Sequence, residues 1–309
     1  MSTFKEDLIK KLLEKKKKLS QSSIDLYIRN LEKLNDNEPL KNFNFLKKVD
    51  NIKNKLDEYK NNTQRSYYIS IVSALKTDDK YKSLYNKYYK IMIAKKKEID
   101  EIPTTTMNDN QKENWISWDE VINIYNDLLN KVSQLPKKIK TDKQYNILLD
   151  LVILSLYTNI EPRRNKDFQM MNIIKGYDMD DNNINYYNVD KNELYFNNYK
   201  SMKKHGQQKI TIPDNLKEVI ELYIKNHPLI INKKKFNVPF LVHHNGEPLN
   251  KINSITNILN SIFGKKLGSS MLRHIYLTYR FGDTYKEMQQ VAENMGHTIS
   301  TQKDYIKDI

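Results

Sequence analysis

The run Tyr145-Asn146-Ile147-Leu148-Leu149-Asp150-Leu151-Val152-Ile153-Leu154-Ser155-Leu156-Tyr157 is nearly all apolar, and Thr158-Asn159-Ile160-Glu161-Pro162-Arg163-Arg164-Asn165-Lys166-Asp167-Phe168 follows it directly. A helix that is apolar on all sides has to be buried, so Tyr145–Tyr157 is predicted to form the centre of a core. Proline is tolerated at the start of a helix, where its missing N–H would be unpaired anyway. Pro162 therefore predicts a new helix with Arg163 and Arg164 in its first turn, beside the buried one.

Working outward, Ser117-Trp118-Asp119-Glu120 is a capping box that opens a helix over Trp118–Lys131. Downstream, Ile184–Asn188, Glu193–Asn197 and Gln208–Ile212 have strand character and polar turns between them, and predict a small antiparallel sheet. The loop of its last hairpin, Tyr199–Gly206, carries Lys200, Lys203, Lys204 and His205. Helices are expected over Leu216–Asn226 and Ser254–Phe263. Another, capped by Ser269 or Ser270, carries Arg273 and His274. A separate helix, Tyr285–Met295, ends at Gly296 and is followed by His297. A last short helix, capped by Thr301-x-x-Asp304, carries Tyr305.

Toward the N-terminus every periodic segment is helical: residues 4–18, ending in a lysine run; a helix opened by Ser22-x-x-Asp25; Val49–Tyr59; a helix capped by Thr63, with tyrosines and aliphatics on one side; and Tyr81–Lys97. Residues 98–114 lack apolar periodicity, and Pro103-Thr104-Thr105-Thr106 reads as extended linker. The expected organisation is a helical domain over 1–100, a linker over 101–115 and a second domain over 116–309. The fold class is mainly α with a small antiparallel β-sheet (α+β).

Composition narrows the function. The 309 residues contain no cysteine, which excludes disulfides, thiolate metal sites and a cysteine nucleophile. The six histidines show no metal-ligand spacing, and no metal site is expected; His205, His227, His243 and His244 are read as structural. No run of 18 apolar residues indicates a membrane span, and the N-terminus lacks the apolar segment of a secretory signal. An intracellular location is expected. The net charge of +14 draws such a chain to polyanions, nucleic acid first. Residues 1–100 carry 24 Lys and Arg against 14 Asp and Glu, and the remainder 28 against 24. The N-terminal third is thus the expected electrostatic clamp.

In chain order the second domain offers Arg164, Lys200, Arg273, His297 and Tyr305. This set suits attack of a tyrosine hydroxyl on a phosphodiester. A phenol with a pKa near 10 needs a proton acceptor or strong electrostatic help, and a histidine can supply it. Two guanidinium forks can hold the charge that builds on the non-bridging oxygens. A lysine on a hairpin can protonate the leaving 5′-oxygen.

These segments together resemble the tyrosine recombinases, or phage-type integrases, over nearly the whole chain. Ser22-Ser23-Ile24-x-x-Tyr27 resembles the start of a core-binding helix. Tyr157-Thr158-x-x-x-x-Arg163-Arg164-x-x-Asp167-Phe168 resembles the first-arginine motif, in which the acid follows the arginine by three residues, selecting Arg164 over Arg163. Leu194–Lys200 resembles the lysine hairpin, Met271-Leu272-Arg273-His274 the second-arginine motif, and Met295-Gly296-His297 with Tyr305 the final histidine and nucleophile. The Pro-Arg-Arg opening and the Asn-Tyr-Lys hairpin look most like versions in large DNA viruses and related mobile elements.

The resemblance implies a core-binding domain plus a catalytic domain acting in DNA recombination or integration. The substrate would be double-stranded DNA, bound by a homotetramer, with no cofactor. Cleavage through a 3′-phosphotyrosine is expected. Asp167, Ser270 and His274 are then supporting residues, and Arg163, Lys203 and Lys204 are DNA contacts. The chain departs from the pattern at Ser270, where the family carries His or Lys, and in the eight-residue spacing from His297 to Tyr305, one shorter than usual. Only four residues follow Tyr305. A DNA-binding relic that no longer cuts, and a type IB topoisomerase-like relaxase, are the alternatives.

Overall fold

The computed structural model describes residues 3–15, 19–101, 106–176, 183–233 and 236–307. They form two compact units, Met1–Met107 and Asn108–Ile309. Residues 16–18 of the lysine run and residues 102–105 of the expected linker lie outside the described set.

The first unit consists of helices α1 (Phe4–Lys15), α2 (Gln21–Leu34), α3 (Val49–Asp57), α4 (Asn61–Leu75) and α5 (Lys82–Asp100). Its core is built from Leu8 and Leu12, Ile24, Ile28 and Leu31, Leu56, Ile71 and Tyr88. α4 is its central helix, burying Gln64, Tyr67, Tyr68 and everything from Ser70 to Leu75. The expected one-sided pattern was too narrow: the small Ser70, Ser73 and Ala74 let neighbours pack on the second side. Ser70 also accepts a buried hydrogen bond from Asn30, at 3.0 Å. The caps move too. Ser20, not Ser22, caps α2, and α4 starts after Lys60 with no side-chain cap.

The second unit opens with α6 (Asp109–Asn114), capped by a box between Asn108 and Gln111. Asn114 accepts a hydrogen bond from the Lys266 backbone at 2.9 Å. Residues 108–114 therefore fold onto the second unit rather than serving as linker. α7 (Trp118–Ser133), with the expected Ser117 capping box, packs on α8 (Asp142–Thr158), which is buried from Leu151 through Tyr157. After the short α9 (Asn165–Gln169) come β1 (Asn172–Ile174), β2 (Tyr186–Asn188), β3 (Glu193–Phe196), α10 (Met202–His205) and β4 (Gln208–Thr211). Next are α11 (Asp214–Asn226), α12 (Pro228–Lys233), β5 (Val238–Pro239), α13 (Ser254–Phe263), α14 (Ser269–Asn294) and α15 (Ile299–Tyr305).

The sheet order is β4-β3-β2-β1-β5. The three expected strands pair antiparallel as read, but β1 runs parallel to β2 and β5 antiparallel to β1, so the sheet is mixed. β1 and β5 are three and two residues long, too short to show a period. Side-chain alternation puts Tyr187, Leu194 and Phe196 toward α8, while Tyr186 stacks on Tyr195 on the other face, at 4.4 Å.

The C-terminal region differs most from expectation. The two helices predicted there are one, α14, of 26 residues and roughly 39 Å by the rise of an α-helix. Its N-cap is Gly268, with no side-chain cap from Ser269 or Ser270. Among the described residues, no helix is long and apolar enough to cross a membrane.

His227 is wholly buried, its Nε2 3.1 Å from the Pro239 carbonyl oxygen and its ring edge-on to Tyr223. Burial pushes its pKa down to about 4. The unfolded chain takes up this proton first, so the residue's contribution is intact above pH ~6.5 and is lost as pH falls toward 4. Asp150, raised by burial to about 6, acts with the opposite sign in the same window. The comparison is therefore with His227→Gln, whose amide can still donate to Pro239. Both tryptophans, Trp115 and Trp118, lie in the second unit, so their fluorescence follows its urea unfolding. From pH 7 to pH 4.5 the stability difference should shift in the variant's favour by about 2 kcal/mol; parallel pH profiles would refute the assignment.

Candidate phosphodiester site

Pro162 does not open a helix as expected. The chain stays extended through Arg164, which is the N-cap of α9. This puts the two arginine side chains to different uses. Arg163 turns inward: its Nε donates to Asp167 Oδ2 at 3.1 Å and its Nη1 to Gln208 Oε1 at 2.8 Å. Its guanidinium lies 3.8 Å from the Phe196 ring centre and 5.2 Å from that of Tyr199. The Arg164 side chain makes no hydrogen bond or ion pair among the described residues and the residue is half-buried. Arg163, expected as a DNA contact, is thus a structural brace, and Arg164 is the guanidinium left for a ligand.

Asp167 is almost fully buried. Burial pushes its carboxyl above the usual carboxylate range, while Arg163 and then Arg164 pull it back. The acid three residues after Arg164 therefore binds the neighbouring arginine.

The arginine segment is anchored from two sides. On one, Asn165 accepts from the buried Tyr157 hydroxyl at 2.7 Å and donates to Thr256 Oγ1 at 2.8 Å, tying α9 to α8 and α13. On the other, buried Asn185 donates to the carbonyls of Asp167 and Asn198 (2.8 and 2.9 Å) and accepts from the backbone N–H of Asn197 and Asn198 (2.8 and 2.7 Å). One amide thus fastens the arginine helix to the lysine hairpin. Sequence reasoning missed it: Asn185 sits among asparagines in a stretch read as strand, and nothing in composition marks it.

Arg163, Arg164 and Asp167 from α9 and the segment before it, Tyr199, Ser201, His205 and Gln208 from the hairpin, and Arg273 from α14 line one cleft of about 310 Å³. His205, first read as structural, is on its wall. Lys200, Lys203 and Lys204 stand exposed in the same loop, which Tyr199 closes by donating to the Gly206 carbonyl at 2.7 Å. Ser270 and His274 are exposed on α14 and do not line the cleft. No cluster of His, Asp or Glu suited to a metal occurs among the described residues.

His297 and Tyr305 are not in this cleft. The backbone from Arg273 to Asn294 is continuous helix, roughly 32 Å by its rise. Gly296, in the left-handed region at φ 71°, closes α14. The N–H of His297 reaches the Ala292 carbonyl and that of Gly296 the Glu293 carbonyl, both at 3.0 Å. Thr298, not Thr301, caps α15. The Tyr305 ring lies flat against His297, 5.7 Å between centres, and is 68% exposed. The five residues expected in one pocket therefore divide: Arg164 and Arg273 meet beside the Lys200 loop, while His297 and Tyr305 form a second group at the far end of α14.

Asn185→Ala removes four hydrogen bonds and strands buried backbone groups, so it should destabilise the second unit by roughly 3 kcal/mol in tryptophan-monitored unfolding. A loss under about 1 kcal/mol would show that the clamp is replaceable by water.

Compared with known proteins, the chain matches no protein-family model, no curated protein and no solved structure.

Proposed function

We propose that this protein is a DNA strand-transfer enzyme of the tyrosine-recombinase type. The observation that carries the proposal is the meeting of Arg164 and Arg273 in a cleft bordered by the Lys200 loop, with Arg163 braced behind them. Two guanidinium forks free of carboxylate partners suit the non-bridging oxygens of a phosphodiester. In the proposed reaction the Tyr305 oxygen bonds to phosphorus and the bond from phosphorus to the 5′-oxygen breaks. The phenol proton passes to His297 and a proton from Lys200 goes to the 5′-oxygen. A 3′-phosphotyrosine and a 5′-hydroxyl result. Reversal with a second strand rejoins the DNA with the energy of the diester retained. Double-stranded DNA is the proposed partner. The first unit, with its excess of Lys and Arg, would contribute sequence-independent phosphate contacts.

Such chemistry requires Tyr305 to reach the cleft. Two routes are open to this fold. In one, a second copy of the chain supplies the tyrosine, in keeping with the proposed tetramer. In the other, α14 bends. Between Ile275 and Ala292 it buries no residue, and Gly282 in this stretch weakens the helix by ~0.5–1 kcal/mol relative to alanine. The separation of the two groups also favours a second reading, a protein that binds DNA without cutting it.

The test uses a nicked suicide duplex and a denaturing gel. Wild type should form a covalent adduct that Tyr305→Phe abolishes. Arg164→Ala and Arg273→Ala should each slow adduct formation about 100- to 1000-fold. Failure of wild type to form any adduct while binding the duplex would establish the non-cutting reading. Mixing Tyr305→Phe with Arg164→Ala separates the routes. Recovery of adduct on mixing means the tyrosine comes from another copy. If mixing restores nothing and Gly282→Ala slows wild-type cleavage, it arrives through a bend of α14.

A further inference from the structure

Next to the arginine cleft lies a second, larger one of about 580 Å³. Its walls include Trp118, Tyr276, Tyr279, Arg280 and Phe281, and it shares Glu161, Pro162 and Arg273 with the first. The aromatic groups are arranged as a platform. Trp118 is nearly buried and forms the base; Tyr276 meets it edge-on at 5.2 Å and Tyr279 lies almost parallel to it at 6.0 Å. Tyr279 and Phe281 are 60% and 53% exposed. Arg280 and Arg273 bring positive charge to the same walls, and no ion pair neutralises either among the described residues.

We propose that this cleft receives a single unstacked nucleobase of the DNA strand whose phosphate lies between Arg164 and Arg273. The inference rests on the proposed phosphodiester site and specifies how the DNA beside it is held. A nucleobase is planar, stacks on aromatic faces whatever its identity, and is attached to an anionic backbone. The cleft supplies aromatic faces, cations for the backbone, and at Glu161 a carboxylate able to accept from an exocyclic amine. Arg273 belongs to both clefts, so phosphate and base recognition are adjacent on one strand. An apolar protein segment would use the aromatic rings but leave Arg273 and Arg280 without partners, which favours the nucleotide.

The experiment compares the full chain's affinity for a matched duplex with that for the same duplex bearing one unpaired base, by fluorescence anisotropy at fixed salt. Wild type should prefer the bulged duplex about tenfold, the scale of one base–aromatic stack. The double variant Tyr279→Ala, Phe281→Ala should lose that preference and keep its matched-duplex affinity within about twofold. Tyr279→Phe, Phe281→Tyr should retain the preference, which a purely structural role for the hydroxyl or the ring position would not require. Equal affinity of wild type for both duplexes, or a preference unaffected by the alanine variant, overturns the base cleft alone. If the alanine variant changes self-association in sedimentation and not the bulge preference, the cleft serves a second copy and the proposal falls. Failure of wild type to bind either duplex removes the phosphodiester reading as well.

Discussion

The second unit depends on how the Arg163 guanidinium is held. It is gripped by Asp167 and Gln208 and sits over the Phe196 ring, so α9, β3 and β4 are fixed to one another through a single side chain. Removing a charge this far from water is costly unless partner and hydrogen bonds are both present, and here both are. The buried Asp167 is the reciprocal half of the arrangement: Arg163 is the largest influence opposing the desolvation of its charge, with Arg164 behind it. Arg164 follows one residue later, with no carboxylate bonded to its guanidinium among the described residues. Adjacent arginines of the same chemistry thus divide between architecture and recognition, and burial is what separates them.

The second constraint is the length of α14. A helix transmits position rigidly, and this one begins beside the arginines and ends beside His297. Its first turns are nailed down by Met271, Leu272 and Ile275, whereas its far half buries only Ala292, next to α15. The arginine half of the candidate site is therefore anchored in the core and the tyrosine half hangs from an exposed helix. A phenol stacked on a histidine, away from Arg164 and Arg273, lacks the electrostatic help that those two would give to attack on a diester. In the proposed function this division makes cleavage conditional on assembly or bending, so DNA bound by a single copy in the described conformation would be held intact.

How much of this was legible in the sequence follows from the physics of each element. The nearly all-apolar run Tyr145–Tyr157 announced a buried helix because a helix apolar on every side has to be covered, and the Ser117 capping box marked a helix start through local bonding alone. The arginine–hairpin–arginine cleft was legible as an ordered set of residue types. What was not legible depends on distant contacts. Asn185 gains its role only when β2 lies beside the Asp167 and Asn198 carbonyls. The spacing to Asp167 selected Arg164 over Arg163 for the site but did not say which arginine the acid holds; with Arg164 extended, it is Arg163 that bonds to it. The break expected before Tyr285 is absent: α14 runs through Gly282 without interruption, since a solvent-exposed helix tolerates polar residues and a glycine.

The cleft's charge bears on the one place where the sequence departs most from its resemblance. Ser270 stands where a third cation is usual, and it faces solvent outside the cleft. Arg163 cannot substitute, since Asp167 already offsets its charge. Three lysines sit beside the cleft in the Lys200–Lys204 segment, exposed and tethered at its ends by the Tyr199 bond to Gly206 and the Asn185 bond to Asn198. A loop with fixed ends and free lysines can deliver a cation to a bound phosphate without carrying the desolvation cost of a permanent one. In the proposed reaction that makes the hairpin, rather than the start of α14, the source of the third positive charge. It ties the fold's least obvious clamp, Asn185, to the electrostatics of the step it would support.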